Sequence, residues 1–238
     1  KMFILISFII FLFSVVFAQD PAQGWTAYAV GTNPTGKGII TKASARWKVG
    51  SLPARGGCFY SPWFGIESSD NLNLLQPVNP TDGYHWQAYF EYFQWQPVYN
   101  YDSSSFDVSP GDILHGSVTL DAKNNAYRLE QHDETTGQKV VGEIKIQAGK
   151  NYTMMYVVQE KVCDCDQYST DGQVVFYDID LEFNYKPVSP TWKTSFVDDN
   201  CNARAHVVNS TAIQITWDTN MKRKLPLTDS IQSNQFKK

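Results

Sequence analysis

The chain has 238 residues, a formal net charge of −4, and 24 acidic against 20 basic side chains. No basic stripe runs through it, which argues against nucleic acid as a partner. Its 13 Tyr and 7 Trp suit both pleated sheets and an aromatic ligand groove.

Met2 to Phe17 is an almost unbroken apolar run behind Lys1, closing on Val16-Phe17-Ala18 before Gln19. A positive start, an apolar core and a small residue at the end predict a secretory signal peptide over residues 1–18. The run is shorter than the roughly 20 residues that a membrane anchor needs. Cleavage after Ala18 would leave 220 residues (238 − 18) and move the formal charge from −4 to −5, because Lys1 is removed. The expected product is secreted, outside the cell or in the secretory-pathway lumen, with no membrane segment and room for one large core.

Strand signals then recur with turn residues between them, and helical periodicity is almost absent. Ile39 to Val49 alternates and stops at Gly50-Ser-Leu-Pro53. Tyr84 to Trp95 is aromatic and alternating, and Asp112 to Leu120 follows the turn Ser109-Pro-Gly111. Asn125 to Asp133 and Lys139 to Ile146 flank Glu134-Thr-Thr-Gly137, a hairpin signal. Tyr152 to Val158, Val174 to Phe183 and Ala212 to Trp217 complete the series. Many short strands predict an all-β fold, a sandwich of two antiparallel sheets, in a single domain over residues 19–218. Asn184 to Pro190 reads as a loop, and residues 219–238, with Met221-Lys-Arg-Lys224, as a polar disordered tail.

The four cysteines are Cys58, Cys163, Cys165 and Cys201, an even count that predicts disulfides in an exported chain. A bridge between Cys163 and Cys165 would close a strained ring, so one is expected to reach Cys58 and the other Cys201. The C-x-C spacing and the scattered histidines do not suggest zinc. Asn151-Tyr-Thr153 and Asn209-Ser-Thr211 are sequons, which make Asn151 and Asn209 candidate glycosylation sites.

Trp63-Phe-Gly-Ile-Glu67, Leu74-Leu-Gln76 and Ala88-Tyr-Phe-Glu-Tyr-Phe93 follow in order. They resemble the W-V-G-I-D, I-L-Q and A-W-Y-E-W-Y segments of the fungal glutamic peptidases, the eqolisins. Further likenesses extend the resemblance from about Gly24 to Trp217: Gly24-Trp-Thr-Ala, Ser109-Pro-Gly-Asp, Glu134-Thr-Thr-Gly-Gln and Val174-Val-Phe-Tyr-Asp178. The resemblance implies a concanavalin-like, jelly-roll sandwich with a concave sheet. It also implies a catalytic pair, a glutamate that takes a proton from water and a glutamine that steadies the oxyanion.

Gln76 matches the family glutamine, Glu67 stands where the family has Asp, and Glu91 matches the Glu of the third segment. The family's catalytic glutamate lies in A-E-W-I-V-E-D-F, whose best counterpart is Thr153-Met-Met-Tyr-Val-Val-Gln-Glu160. Placing Tyr156-Val-Val on W-I-V puts Met155 at the base position, and methionine accepts no proton. Glu160 could replace it only through a bulge or a shifted register, because five residues separate the two. Trp63, Trp86, Tyr89 and Trp95 are candidate ligand contacts beside Glu67 and Glu91.

His85, His115, His132 and His206 show no ligand spacing, the pair Asp178 and Asp180 fits solvation of a strand, and Asp164 and Asp166 lack a calcium loop. No metal or cofactor is expected. The sequence therefore predicts a secreted, glutamic-peptidase-like protein that binds peptide or glycan without catalysis. The alternative is an acid endopeptidase using Gln76 and Glu160. Oligomeric state is not encoded in any motif.

Overall fold

A computed structural model describes residues 24–222. The predicted signal peptide and most of the predicted tail lie outside the described residues. Sixteen strands follow one another: β1 (Trp25–Thr32), β2 (Ile40–Lys48), β3 (Ser61–Ser68), β4 (Asn73–Val78), β5 (Trp86–Trp95), β6 (Val98–Asp102), β7 (Phe106–Val108), β8 (Ile113–Asp121), β9 (Ala126–Asp133), β10 (Lys139–Lys145), β11 (Tyr152–Glu160), β12 (Gln173–Phe183), β13 (Lys186–Pro187), β14 (Thr191–Phe196), β15 (Arg204–Asn209) and β16 (Ala212–Thr216). Among the described residues, helix is confined to two single 3-10 turns, Cys165–Gln167 and Asn200–Asn202.

The first sheet has the order β14-β1-β11-β3-β4-β5-β6, with β7 on β5. The second has the order β10-β9-β8-β2-β12-β16-β15, with β13 on β12. Every pairing is antiparallel. The all-β sandwich expected from alternation is therefore present. The predicted strands match β2, β5, β8–β12 and β16 to within two residues at each end. The segment read as a loop, Asn184 to Pro190, contains the two-residue strand β13.

Alternation decides what is inside, because a period of two sends every other side chain to the same face. Ala43, Ala45 and Trp47 of β2 meet Phe64 and Ile66 of β3, Phe90 of β5, Met155 and Val157 of β11, and Phe176 of β12 in one core cluster. Trp47 lies edge-on to Phe64 with ring centroids 6.0 Å apart. Each large apolar side chain buried this way contributes about 1.5–3 kcal/mol. The sheets approach closely at Gly116, where an added Cβ would lie 2.6 Å from Pro77 Cβ and 2.7 Å from the Phe64 ring.

Cys58 is bonded to Cys163 and Cys165 to Cys201, across 105 and 36 residues. As expected, the neighbouring pair splits between the two distant partners. Closing loops of this size stabilises a fold by about 4 kcal/mol each in the chain-entropy model. The bridges also fix the chain just after β11, and so the end of the strand that carries Glu160. Asn151 and Asn209 are both exposed.

Candidate functional site

The outer face of the first sheet carries the family-like residues. Register places them in rows across the strands. Gln76 on β4 faces Glu91 on β5, and Glu91 faces Asp102 on the edge strand β6. On the other side Gly65 of β3 lies against Gln76, and Tyr156 of β11 pairs with Gly65. The row continues to Val30 on β1 and Lys193 on β14. It thus runs from a carboxylate, through an amide and a gap, to an aromatic ring and a lysine.

Gly65 creates the gap. A Cβ there would lie 2.9 Å from Gln76 Cβ and 2.6 Å from the Leu75 carbonyl oxygen. Glycine at this position lets β4 hold Gln76 close to β3. Gln76 is 3% exposed. Its Nε2 donates to Glu91 Oε2 at 2.7 Å, while its Oε1 is buried with no hydrogen-bond partner among the described residues. A buried amide oxygen in that state favours a donor brought by a ligand.

A second cluster of apolar side chains covers this face: Trp25, Trp63, Leu74, Val78, Tyr156 and Val158. Trp63 and Tyr156 each meet Trp25 edge-on, with centroids 5.2 Å apart. Half-buried Tyr28, Tyr89, Phe93, Trp95 and Met154 form its rim. Of the predicted ligand contacts, Trp63, Tyr89, Glu91 and Trp95 thus belong to this face, with Trp63 as fully buried floor. Trp86 does not. It packs in the sandwich core, edge-on to Tyr60, because it stands an odd number of residues from Tyr89 and Glu91. Glu67 lies one row from Gln76, between Leu74 and Met154, fully buried, and accepts from Asn71 Nδ2 at 3.1 Å.

Strand β11 corrects the expected base position. Met155 is 0% exposed and sits in the core between the sheets, so it cannot face Gln76. The outward residues are Met154, Tyr156, Val158 and Glu160. Glu160 therefore reaches the outer face through alternation along β11, and the register shift beside it lies in β1, between Trp25 and Ala27. Its Oε2 accepts from Trp63 Nε1 at 2.8 Å and its Oε1 meets Lys161 Nζ at 2.9 Å. Glu160 pairs with Ser61, whereas the residue in Gln76's own row is Tyr156. Four residues of strand, about 13 Å, separate the two positions along β11.

Electrostatics set the state of Glu91. Burial first, then the Asp102 and Glu160 carboxylates, push its carboxyl up to about 8, against the opposing pull of Gln76 and Lys161. Burial, with Glu91, Asp102 and Glu160 adding to it, also raises the Tyr89 hydroxyl. In acid, Glu91 is a neutral carboxylic acid hydrogen-bonded to an amide. It can donate a proton there but cannot take one from water. Elsewhere the acidic candidates are engaged by cations. Arg55 holds Asp164 and Asp166 at 2.7 Å, and Lys42 holds Asp180 at 2.6 Å.

Sequence reading missed Asp102, Gly65 and Tyr156. Gly65 and Tyr156 stand inside the family-like segments, but their place beside Gln76, like that of Asp102, comes only through strand register.

Solved structures similar to this one include scytalido-glutamic peptidase with a transition state analog inhibitor. It is 19% identical, with TM-score 0.62, over 82% of this chain and 98% of that one. SCP-B, a member of the eqolisin family of peptidases in complex with the tripeptide Ala-Ile-His, is 17% identical, with TM-score 0.60, over 82% and 98%. Aspergilloglutamic peptidase from Aspergillus niger is 20% identical, with TM-score 0.51, over 67% and 98%. At these identities the likeness carries the fold. No curated protein sequence matches the chain. The model of the peptidase A4 family matches residues 25–194, which span β1 to β14 and every residue of the Gln76 row from Val30 to Asp102 and Lys193. The chain belongs to the peptidase A4 family.

Proposed function

We propose that this exported member of the peptidase A4 family holds a peptide on the outer face of its first sheet and does not hydrolyse it in acid. The observation that supports this reading is the strand register, which sets Tyr156 of β11, and no carboxylate of that strand, beside Gln76 across Gly65. The Glu91 carboxyl in contact with the amide is pushed up to about 8 by burial and by the neighbouring Asp102 and Glu160 carboxylates. A glutamine can steady an oxyanion, but an unprotonated base must activate the water. Tyr156, in the Gln76 row across Gly65, offers a phenol and no carboxylate. The aromatic rim and the unpartnered Gln76 Oε1 suit a peptide, whose amide N–H groups donate and whose side chains pack on rings. SCP-B with its bound tripeptide supports peptide over glycan as the ligand class.

One observation favours a second reading, the acid endopeptidase working through Gln76 and Glu160. Glu160 shares the outer face and lies close enough to raise the Glu91 carboxyl. The test is incubation of the purified chain with a denatured protein substrate at acid pH. Missing general-base catalysis typically costs about 10²–10⁴ in rate, so cleavage is expected to stay at the level of the blank. Robust acid proteolysis that vanishes in Glu160→Gln would establish the second reading and end the first. Peptide binding, followed by tryptophan fluorescence, is expected to persist in Glu160→Gln.

A further inference from the structure

On the other side of the molecule, β8 and β9 bring together two histidines that sequence spacing does not connect. His115 and His132 are 17 residues apart in the chain and directly opposite each other in the hairpin register. Glu134 follows at the end of β9, with its Oε1 3.9 Å from His115 Nδ1. One donor atom from each of the three residues lies within 4.8 Å of the other two. A tetrahedral zinc with bonds near 2.0–2.1 Å needs donors about 3.4 Å apart. A bound ion would have to draw the three side chains together by that difference.

We propose that His115, His132 and Glu134 form a binding site for a divalent transition metal of the zinc type. Two imidazoles and one carboxylate match borderline cations and disfavour calcium and magnesium, which select oxygen. The backbone around the site is already fixed. Glu134 N–H donates to the Ile113 carbonyl at 2.8 Å, and Ile113 N–H donates to Thr135 Oγ1 at 2.9 Å. Asp133 accepts from Thr135 N–H and Thr136 N–H at 2.9 and 3.3 Å, which shapes the turn.

Arg46 is the competing group. Its Nε and Nη2 donate to both oxygens of Glu134, at 2.9 to 3.2 Å. Its Nη1 also lies 3.7 Å from Asp178 Oδ2. A metal taking one Glu134 oxygen leaves the guanidinium the other oxygen and Asp178. Arg46 then orients the ligating carboxylate from outside, as hydrogen-bond donors to ligating carboxylates do at metal centres. Three protein ligands leave a further position open to solvent. The site is on the outer face of the second sheet, so it is independent of Gln76 and of any peptide bound there.

The experiment is titration of the purified chain with zinc ion alone at neutral pH, followed by calorimetry and by the thermal unfolding midpoint. One equivalent is expected to bind with a micromolar dissociation constant and to raise the midpoint, since ligand bound to the folded chain stabilises it. His132→Ala is expected to weaken binding more than about tenfold, and His115→Ala likewise. His206→Ala, whose ring meets Thr216 on another strand, is expected to change nothing. If an alanine variant fails to fold, the corresponding glutamine variant replaces it. Absence of saturable binding at millimolar zinc overturns the proposal, and so does affinity unchanged in both His115 and His132 variants.

Discussion

On the outer face of the second sheet, Lys42 meets Asp180 at 2.6 Å, Arg46 meets Glu134 at 2.9 Å, and Arg128 meets Glu130 at 2.9 Å. On the outer face of the first, Glu91 is bonded to an amide, faces Asp102, and lies among aromatic rings. Two glutamates therefore shift in opposite directions. The Arg46 hydrogen bonds hold the Glu134 carboxyl below its usual range, while burial and neighbouring carboxylates raise Glu91 to about 8. The first face keeps polar groups in an unrelieved state at a cost in stability, and that is where a ligand gains most by entering. The second face pairs its charges with one another, and the His115, His132 and Glu134 cluster is the place where a cation would enter it.

The largest effect expected concerns which side of β11 a charge occupies. Met155→Glu would place a carboxylate in the core between the sheets. An uncompensated buried charge of this kind should destabilise the fold by about 4 kcal/mol, read by urea unfolding, and should create no proteolysis. A stable and proteolytic Met155→Glu protein would mean that β11 is turned over and that Met155 faces the cleft.

The next effect is a pH slope that belongs to the first face. Between pH 4.5 and about 8 the folded chain keeps a proton on Glu91 that the unfolded chain has lost. Unfolding free energy therefore falls as pH rises through that window. Glu91→Gln retains an acceptor for Gln76 and removes the titration. It is expected to match the parent below pH 4.5 and to exceed it near pH 8. Parallel stability curves for the two proteins would contradict the assigned state of Glu91.

Gly65→Ala tests the gap beside Gln76. The added methyl meets a backbone oxygen at 2.6 Å and cannot be relieved by a side-chain rotation alone. Overpacking of this size should cost about 2 kcal/mol and weaken peptide binding along with it. Unchanged stability and binding would show that β3 and β4 are not held this closely.

What was legible in the sequence follows from how local each signal is. A period of two identifies a strand within six or seven residues, and so β2, β5, β8–β12 and β16 could be read from alternation. Gln76 and Glu91 sat in short segments that resembled a known pattern. Tyr156 could not be attached to Gln76, 80 residues away, because only register across β3 joins them. Met155 and Trp86 both stand one position out of step with the outward-facing set and pack in the core. Assigning a cleft residue one position off moves it to the opposite face, and ungapped matching of an eight-residue pattern does not protect against that. The pairing of His115 with His132 was likewise invisible until the hairpin register was known.

The smallest expected effect belongs to the second face and carries the opposite sign. Glu134 has its folded-state pKa lowered from 4.5, chiefly by the Arg46 hydrogen bonds. Its stabilisation is present in full above that unfolded value and is lost as pH falls through the folded one. The pair is solvent-accessible, with side chains 34% and 30% exposed, so screening limits it to below about 1 kcal/mol. Glu134→Gln should therefore lower stability slightly at neutral pH, less so in high salt, and not at all in strong acid. Glu91→Gln should do the reverse, raising stability as pH increases. Unfolding curves for both variants across one pH series compare the two faces directly. If Glu134→Gln costs more than Glu91→Gln gains, the contrast drawn between a charge-paired face and an unrelieved one fails.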